Sequence, residues 1–205
     1  VPKDELDGPL VGKLQAVLKD DAGLKSLLDS MAGLFSEVLA LNGDDAAFVD
    51  AKLTLAGPFT LETWIKLDPG IGNADSLLGA PGVLDINFFD SRLRVWVGEL
   101  NDIIVAKKPM APDVWTHVAV TRDGDGRFKL YLNGELDQAD GRPDPRAYTG
   151  LAIGRSNVPQ GTAAQLAEFR IWHSCRSADE IRAAFDRTGL DPAPAYYRPL
   201  NAAWD

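Results

Sequence analysis

Apolar and polar residues alternate with a period of two on both sides of Asp123-Gly124-Asp125-Gly126, and this alternation sets a strand register. If Val120 faces Leu130, then Val118 faces Leu132, and His117, Ala119, Thr121, Lys129, Tyr131 and Asn133 share the other face. The pattern predicts a half-buried antiparallel hairpin closed by a five-residue loop, with Gly124 and Gly126 supplying left-handed backbone. A calcium loop of the EF-hand type needs a Glu at its twelfth position, and counting from Asp123 that position is Gly134. The acidic stretch therefore reads as a turn.

A second hairpin follows from "VLDINFFDSRLRVWVG". A two-residue turn at Asp90-Ser91 sets Phe88 opposite Leu93, Ile86 opposite Val95 and Leu84 opposite Val97, all apolar and inward. The same register sends Asp85, Asn87, Phe89, Arg92, Arg94 and Trp96 outward. Trp64, Tyr131 and Trp172 also alternate away from the inner face, which predicts a covered outer face or a groove.

Further strand candidates recur at sandwich-like spacing: Glu37–Leu41, Ala46–Val49, Phe59–Leu67, Ser76–Gly79, Ile103–Ala106, Leu151–Ile153, Glu168–Trp172 and Ala195–Arg198. Ala178–Arg187 reads instead as a helix, with Ser177 and Glu180 spaced as a capping box. Ahead of the strands, Leu10, Val11, Leu14, Val17 and Leu18, then Leu24, Leu27, Leu28, Met31, Phe35 and Val38, recur at helical spacing. Residues 1–38 thus form an expected helical hairpin, and 39–205 an expected β sandwich. The helical stripes either pack on each other or dock neighbouring domains or subunits.

Composition narrows the partners. A formal charge of -9 over 205 residues argues against nucleic acid, which needs a basic face, and no apolar run is long enough for membrane insertion. The single cysteine, Cys175, excludes an internal disulfide and a cysteine-rich zinc site. Val1-Pro2-Lys3 does not open a signal peptide, so the expectation is a mature chain or a segment of a longer protein.

Six stretches carry a resemblance: "LALNGDDAAFVDA", "GPFTLETWIKL", "WTHVAVTRDGDGRFKLYLNGEL", "LAIGRS", "AEFRIWHSCRSADEIRAAF" and "AYYRPLN". In this order they resemble laminin G-like, concanavalin A-like jelly-roll domains, the group that includes pentraxin-type modules. The resemblance implies a mainly β fold, an antiparallel two-sheet jelly-roll sandwich, in a secreted or cell-surface protein. It also implies functions ranging from lectins and adhesion repeats to glycan-cleaving enzymes, so function has to be argued from a site.

Glycosidases of this fold resemble one another in placing two or three carboxylates at alternate positions of one strand. No such run occurs here: Glu62 stands alone, and Glu99 and Asp102 read as a turn. His173 and Cys175 are two apart but fall where the "FRIW" strand ends, and His117 reads as structural. The expectation is therefore no catalytic residue.

The resemblance to pentraxins implies calcium held by a loop after the second main strand and by the loop after "LAIG". Asp75 and Asn157 are the candidate metal ligands, with few anionic oxygens beside them and Arg155 nearby. The ligand-binding candidates are Asp85, Asn87, Arg94, Trp96 and Asn157: an aromatic ring stacks on a sugar while neighbouring polar groups bond its hydroxyls. The expected function is non-catalytic recognition of glycans or cell-surface glycoconjugates, including a cell-adhesion role. The alternatives are a structural assembly module and, third, a polysaccharide-cleaving enzyme.

Overall fold

The computed structural model describes residues 38–44, 46–158, 160–185 and 194–198. The helical hairpin expected over residues 1–38 lies, Val38 apart, outside the described residues. In chain order the strands are β1 (Leu39–Asn42), β2 (Val49–Asp50), β3 (Phe59–Leu67), β4 (Ser76–Ala80), β5 (Leu84–Phe89), β6 (Arg92–Val97) and β7 (Asn101–Val105). There follow β8 (Thr116–Arg122), β9 (Phe128–Leu132), β10 (Glu135–Gln138), β11 (Ala152–Ile153) and β12 (Ala163–Trp172), then helix α1 (Ala178–Ala184) and β13 (Tyr196–Arg198).

They build two antiparallel sheets. The seven-stranded sheet runs β1-β12-β3-β8-β9-β10, with β13 pairing β12, and the six-stranded sheet runs β2-β11-β4-β5-β6-β7. The apolar faces meet between them: Leu61, Ile65, Val118 and Val120 from one sheet pack in a single cluster with Leu84, Ile86, Phe88 and Val95 from the other. Period-two alternation is what makes this possible, because each strand offers one apolar face to a shared interior.

Both expected hairpins have the predicted register. Val118 pairs with Leu132 and Val120 with Leu130, and Leu84, Ile86 and Phe88 pair with Val97, Val95 and Leu93. Asp90 and Ser91 take φ of 51° and 56°, the doubly left-handed turn that matches the twist of a tight hairpin.

The 123–127 loop differs from expectation at one glycine. Gly126 has φ of 79°, whereas Gly124 is not left-handed. Asp123 supplies the difference: its Oδ1 accepts the N–H groups of Asp125 (3.0 Å) and Arg127 (2.9 Å), and this local cap folds the loop with a single left-handed residue.

Strand β12 begins at Ala163, five residues before the expected Glu168. Its first half is rich in alanine, a weak strand former, and a bulge between Ala167 and Arg170, with Glu168 at φ 55°, breaks the alternation. Asp102 lies in β7, not in a turn.

The seven-stranded sheet is covered on its outer side, one of the two arrangements expected from the outward aromatics. Helix α1 places Ile181 against Ala119 and Tyr131, and Trp64 Nε1 donates to the Phe185 carbonyl at 2.8 Å. The capping box is present: Ser177 Oγ accepts the Glu180 N–H, and Glu180 accepts the Ser177 N–H at 2.7 Å. Ser177→Ala is expected to cost about 1 kcal/mol of stability. Urea unfolding measures it, and an unchanged midpoint would mean that packing alone holds the helix.

Candidate functional site

The outer face of the six-stranded sheet is built by the β5–β6 hairpin. Cross-strand rows set Asp85 beside Trp96, Asn87 beside Arg94 and Phe89 beside Arg92. Trp96 is half-buried, and Phe89 is 46% exposed. Asp85, Asn87 and Arg94 point outward as expected, but they are buried rather than solvated, because two loops fold back over them.

The first loop brings Asn73. Arg94 donates from Nε to Asn87 Oδ1 (2.9 Å), from Nη1 to Asp102 Oδ1 (3.2 Å) and from Nη2 to Asn73 Oδ1, while its guanidinium stacks 4.5 Å over the Phe89 ring. Asn87 Nδ2 in turn donates to Asn73 Oδ1 (3.0 Å) and Asp85 Oδ2 (3.0 Å). Burial lowers the Arg94 pKa, and Asp102 and Asp85 pull it back up. A guanidinium held on three sides and on a ring is fixed in orientation.

The second loop, after β11, crosses above Asp85. Asn157 donates its N–H to Asp85 Oδ2 at 2.9 Å, Ser156 Oγ lies 3.5 Å from the same oxygen, and Asp85 Oδ1 is buried without a hydrogen-bond partner. Burial pushes the Asp85 carboxyl up to about 6, against the lowering effect of the Asn157 N–H. Gly79 lets the loop come this close, since a Cβ there would collide with the Arg155 carbonyl. The loop walls a pocket of about 280 Å3 with Pro81, Arg155, Ser156, Asn157, Val158 and Gln160. Asn157 is tied down on both sides, for its Oδ1 accepts the Gly82 N–H at 2.7 Å.

The calcium ligands fit the ion poorly. Asp75 Oδ1 accepts the Ala163 N–H (3.0 Å) and Oδ2 accepts the Gly72 N–H (2.9 Å), so the carboxylate is a clip between loop and strand. Burial raises its pKa, which opposes the charged form a hard cation needs. Asn157 Oδ1 is also engaged, by the Gly82 N–H, so each candidate ligand oxygen already accepts a backbone N–H. Among the described residues no three His, Cys, Asp or Glu side chains are grouped to hold a metal.

Glu62 is buried on the other sheet, where Oε1 accepts from Arg176 at 3.0 Å and Oε2 lies 3.5 Å from His117. Trp64 and Phe185 close over His117, at ring separations of 5.5 Å and 5.9 Å. Cys175 is exposed beyond the end of β12. Of the sequence-predicted ligand residues, the structure unites Asp85, Asn87, Arg94 and Asn157, with Trp96 at their edge. It adds Asn73, Phe89 and Asp102; Phe89 carried a signal as one of the outward residues of the hairpin, and Asn73 lies in the loop that holds the candidate ligand Asp75.

The fold has counterparts among known proteins. The laminin G model of the concanavalin A-like lectin/glucanases superfamily matches residues 41–182. The chain belongs to this superfamily. Among solved structures, a Bacteroides ovatus protein provisionally named as carbohydrate binding is 22% identical with a TM-score of 0.60, the match covering 82% of this chain and 49% of that one. Domain 4 of AbnA, an extracellular arabinanase of Geobacillus stearothermophilus solved with arabinotriose, is 18% identical with a TM-score of 0.54, over 73% and 76% of the two chains. The SAP-like pentraxin of Limulus polyphemus is 15% identical with a TM-score of 0.54, over 72% and 81%. At these identities the likeness is one of fold. The present superfamily member spans about half the length of the Bacteroides ovatus protein. No curated protein matches the chain.

Proposed function

We propose that the domain is a non-catalytic glycan-recognition module of a secreted or surface-exposed protein, binding through the outer face of its six-stranded sheet and the adjoining loop pocket. The observation that carries this reading is the set Arg94 on Phe89, fixed by Asn73, Asn87 and Asp102, next to the half-buried ring of Trp96. Rings that a sugar can stack on lie beside donors and acceptors that are already oriented. The carbohydrate complex of AbnA domain 4 supports the choice of ligand, and a sequence without paired carboxylates at alternate positions of one strand supports a role without catalysis. No helix among the described residues is long and apolar enough to cross a membrane.

A glycan array, run with calcium and with a chelator, is the direct test. Binding that survives the chelator is expected; binding lost with it would move the site to Asp75 and Asn157. Trp96→Ala is expected to weaken the array ligand about 30-fold, the loss typical of an aromatic anchor. Unchanged affinity in that variant would remove this face from the site, and silence across the array would overturn the reading.

A further inference from the structure

On the other side of the β4–β5 turn from the 280 Å3 pocket is a second depression, of about 170 Å3. Pro81 lines the first, and Gly82, Val83, Val97, Glu99, Arg146 and Tyr148 line the second. The turn between them is anchored by the Gly82 N–H, which donates to Asn157 Oδ1, and closed by the Val83 N–H on the Ala80 carbonyl. The second depression is below the roughly 300–1,000 Å3 of sites that enclose a whole ligand, and so suits one residue of a longer one.

Its polar wall is a prepared guanidinium. Arg146 Nε lies 2.9 Å from Asp144 Oδ1, and Nη2 donates to Asp144 Oδ2 at 3.1 Å, so one edge of the fork is fixed. Asp144 is buried and takes a further hydrogen bond from the Tyr148 hydroxyl at 2.9 Å. Burial would raise the Asp144 carboxyl, but the bonds from Arg146 outweigh it and hold the group below its usual value. The Arg146 side chain remains 46% exposed, with Nη1 facing Glu99 at 3.5 Å, and Glu99 is 89% exposed. An ion pair that open to water is weak and exchangeable. Val83 and Val97 line the same depression as Arg146 and give it an apolar part.

We propose that this depression is an acidic-sugar subsite, in which Arg146 receives the carboxylate of a uronate residue whose neighbours in the same oligosaccharide occupy the 280 Å3 pocket. The ligand class rests on the glycan reading above; the charge preference rests on Arg146. The carboxylate meets the end-on Nη1/Nη2 edge and displaces Glu99, while the sugar ring lies over Val83 and Val97. The net charge of -9 opposes an anion at long range, but at 0.15 M salt charges beyond about 8 Å are largely screened and the local guanidinium decides.

The test uses the full chain with galacturonate and glucuronate oligomers, each as the free acid and as the methyl ester, and acetate alone as a control. The acid form, ionised at neutral pH, is expected to bind about tenfold tighter than the ester, because only the carboxylate pairs an anionic, bidentate acceptor with the guanidinium. Amide NMR shifts should appear at Val83 and Val97. In Arg146→Gln the preference should vanish while affinity for the ester stays. Glu99→Gln, an exposed change that leaves the fold alone, should raise affinity for the acid roughly two- to fivefold.

Ester and acid bound equally, or a Glu99→Gln variant without gain, would overturn the subsite and leave the glycan reading standing. Acetate reproducing the full shift would overturn it as a sugar subsite. Failure of every oligomer in both forms to bind would remove the subsite, and silence on the array would remove the glycan reading with it.

Discussion

Arg122→Ala is expected to lower the unfolding free energy by roughly 3–5 kcal/mol, a loss on the scale of deleting a large core side chain. Arg122 ends β8 on the same face as Val118 and Val120, so its guanidinium enters the interior. There it stacks 4.9 Å from the centre of Phe59 and 5.1 Å from that of Tyr148. Nε donates to the Gly57 carbonyl at 2.9 Å and Nη1 to the Arg146 carbonyl at 2.7 Å, with Nη2 also directed at Gly57. Truncation removes the packing on Phe59 and Tyr148 and withdraws the donors from the part-buried carbonyls of Gly57 and Arg146, so lost packing and lost hydrogen bonds both contribute. Arg122→Met separates the two: the stem remains and the donors go. Urea unfolding should place it between wild type and Arg122→Ala. A loss below 1 kcal/mol in both would show that water reaches Gly57 and Arg146. The same guanidinium holds the loop that carries Arg146, so Arg122→Ala should also blunt the acid preference proposed for that loop.

What was legible in the sequence depended on how local the cause is. The Val118/Leu132 and Phe88/Leu93 registers could be read because alternation over a few residues decides them, and the Ser177 cap because three residues decide it. Strand β10 could not be read: Glu135–Gln138 carries one apolar residue and pairs only along an edge, where side chains lend little support. The interior position of Arg122 could not be read either, because its carbonyl partners at Gly57 and Arg146 lie far along the chain. The candidate site divides the same way. The outward set of Asp85, Asn87, Arg94 and Trp96 follows from strand period alone, but the burial of three of them follows from loops near Asn73 and Asn157, which only the assembled sandwich brings over the sheet. The helical hairpin expected before residue 39 lies, Val38 apart, on residues outside those described.

Asp85→Asn is expected to make the domain more stable above pH 6, by on the order of 3 kcal/mol when the shift of its carboxyl from 3.8 to about 6 is converted to free energy. Between those two values the native carboxyl keeps a proton that the unfolded chain has released, so the Asp85 contribution falls as pH rises through the window. Above pH 6 the full penalty of a buried charge is present; below 3.8 both states are protonated and the penalty is gone. The variant minus wild-type difference should therefore grow from near zero at pH 4 to its plateau by pH 7, in urea unfolding read across that range. Asp144, whose carboxyl is held low, contributes in the opposite sense, but equally to both proteins. Parallel curves would mean that Asp85 titrates as a solvated group. Retaining a carboxylate that weakens the fold has a reason at this site: a charged oxygen accepts the Asn157 N–H about twice as strongly as an amide oxygen, and so holds the pocket loop in place. The stabilised variant should accordingly bind the array ligand more weakly. A gain in both stability and affinity would leave the Asp85 charge without a part in recognition.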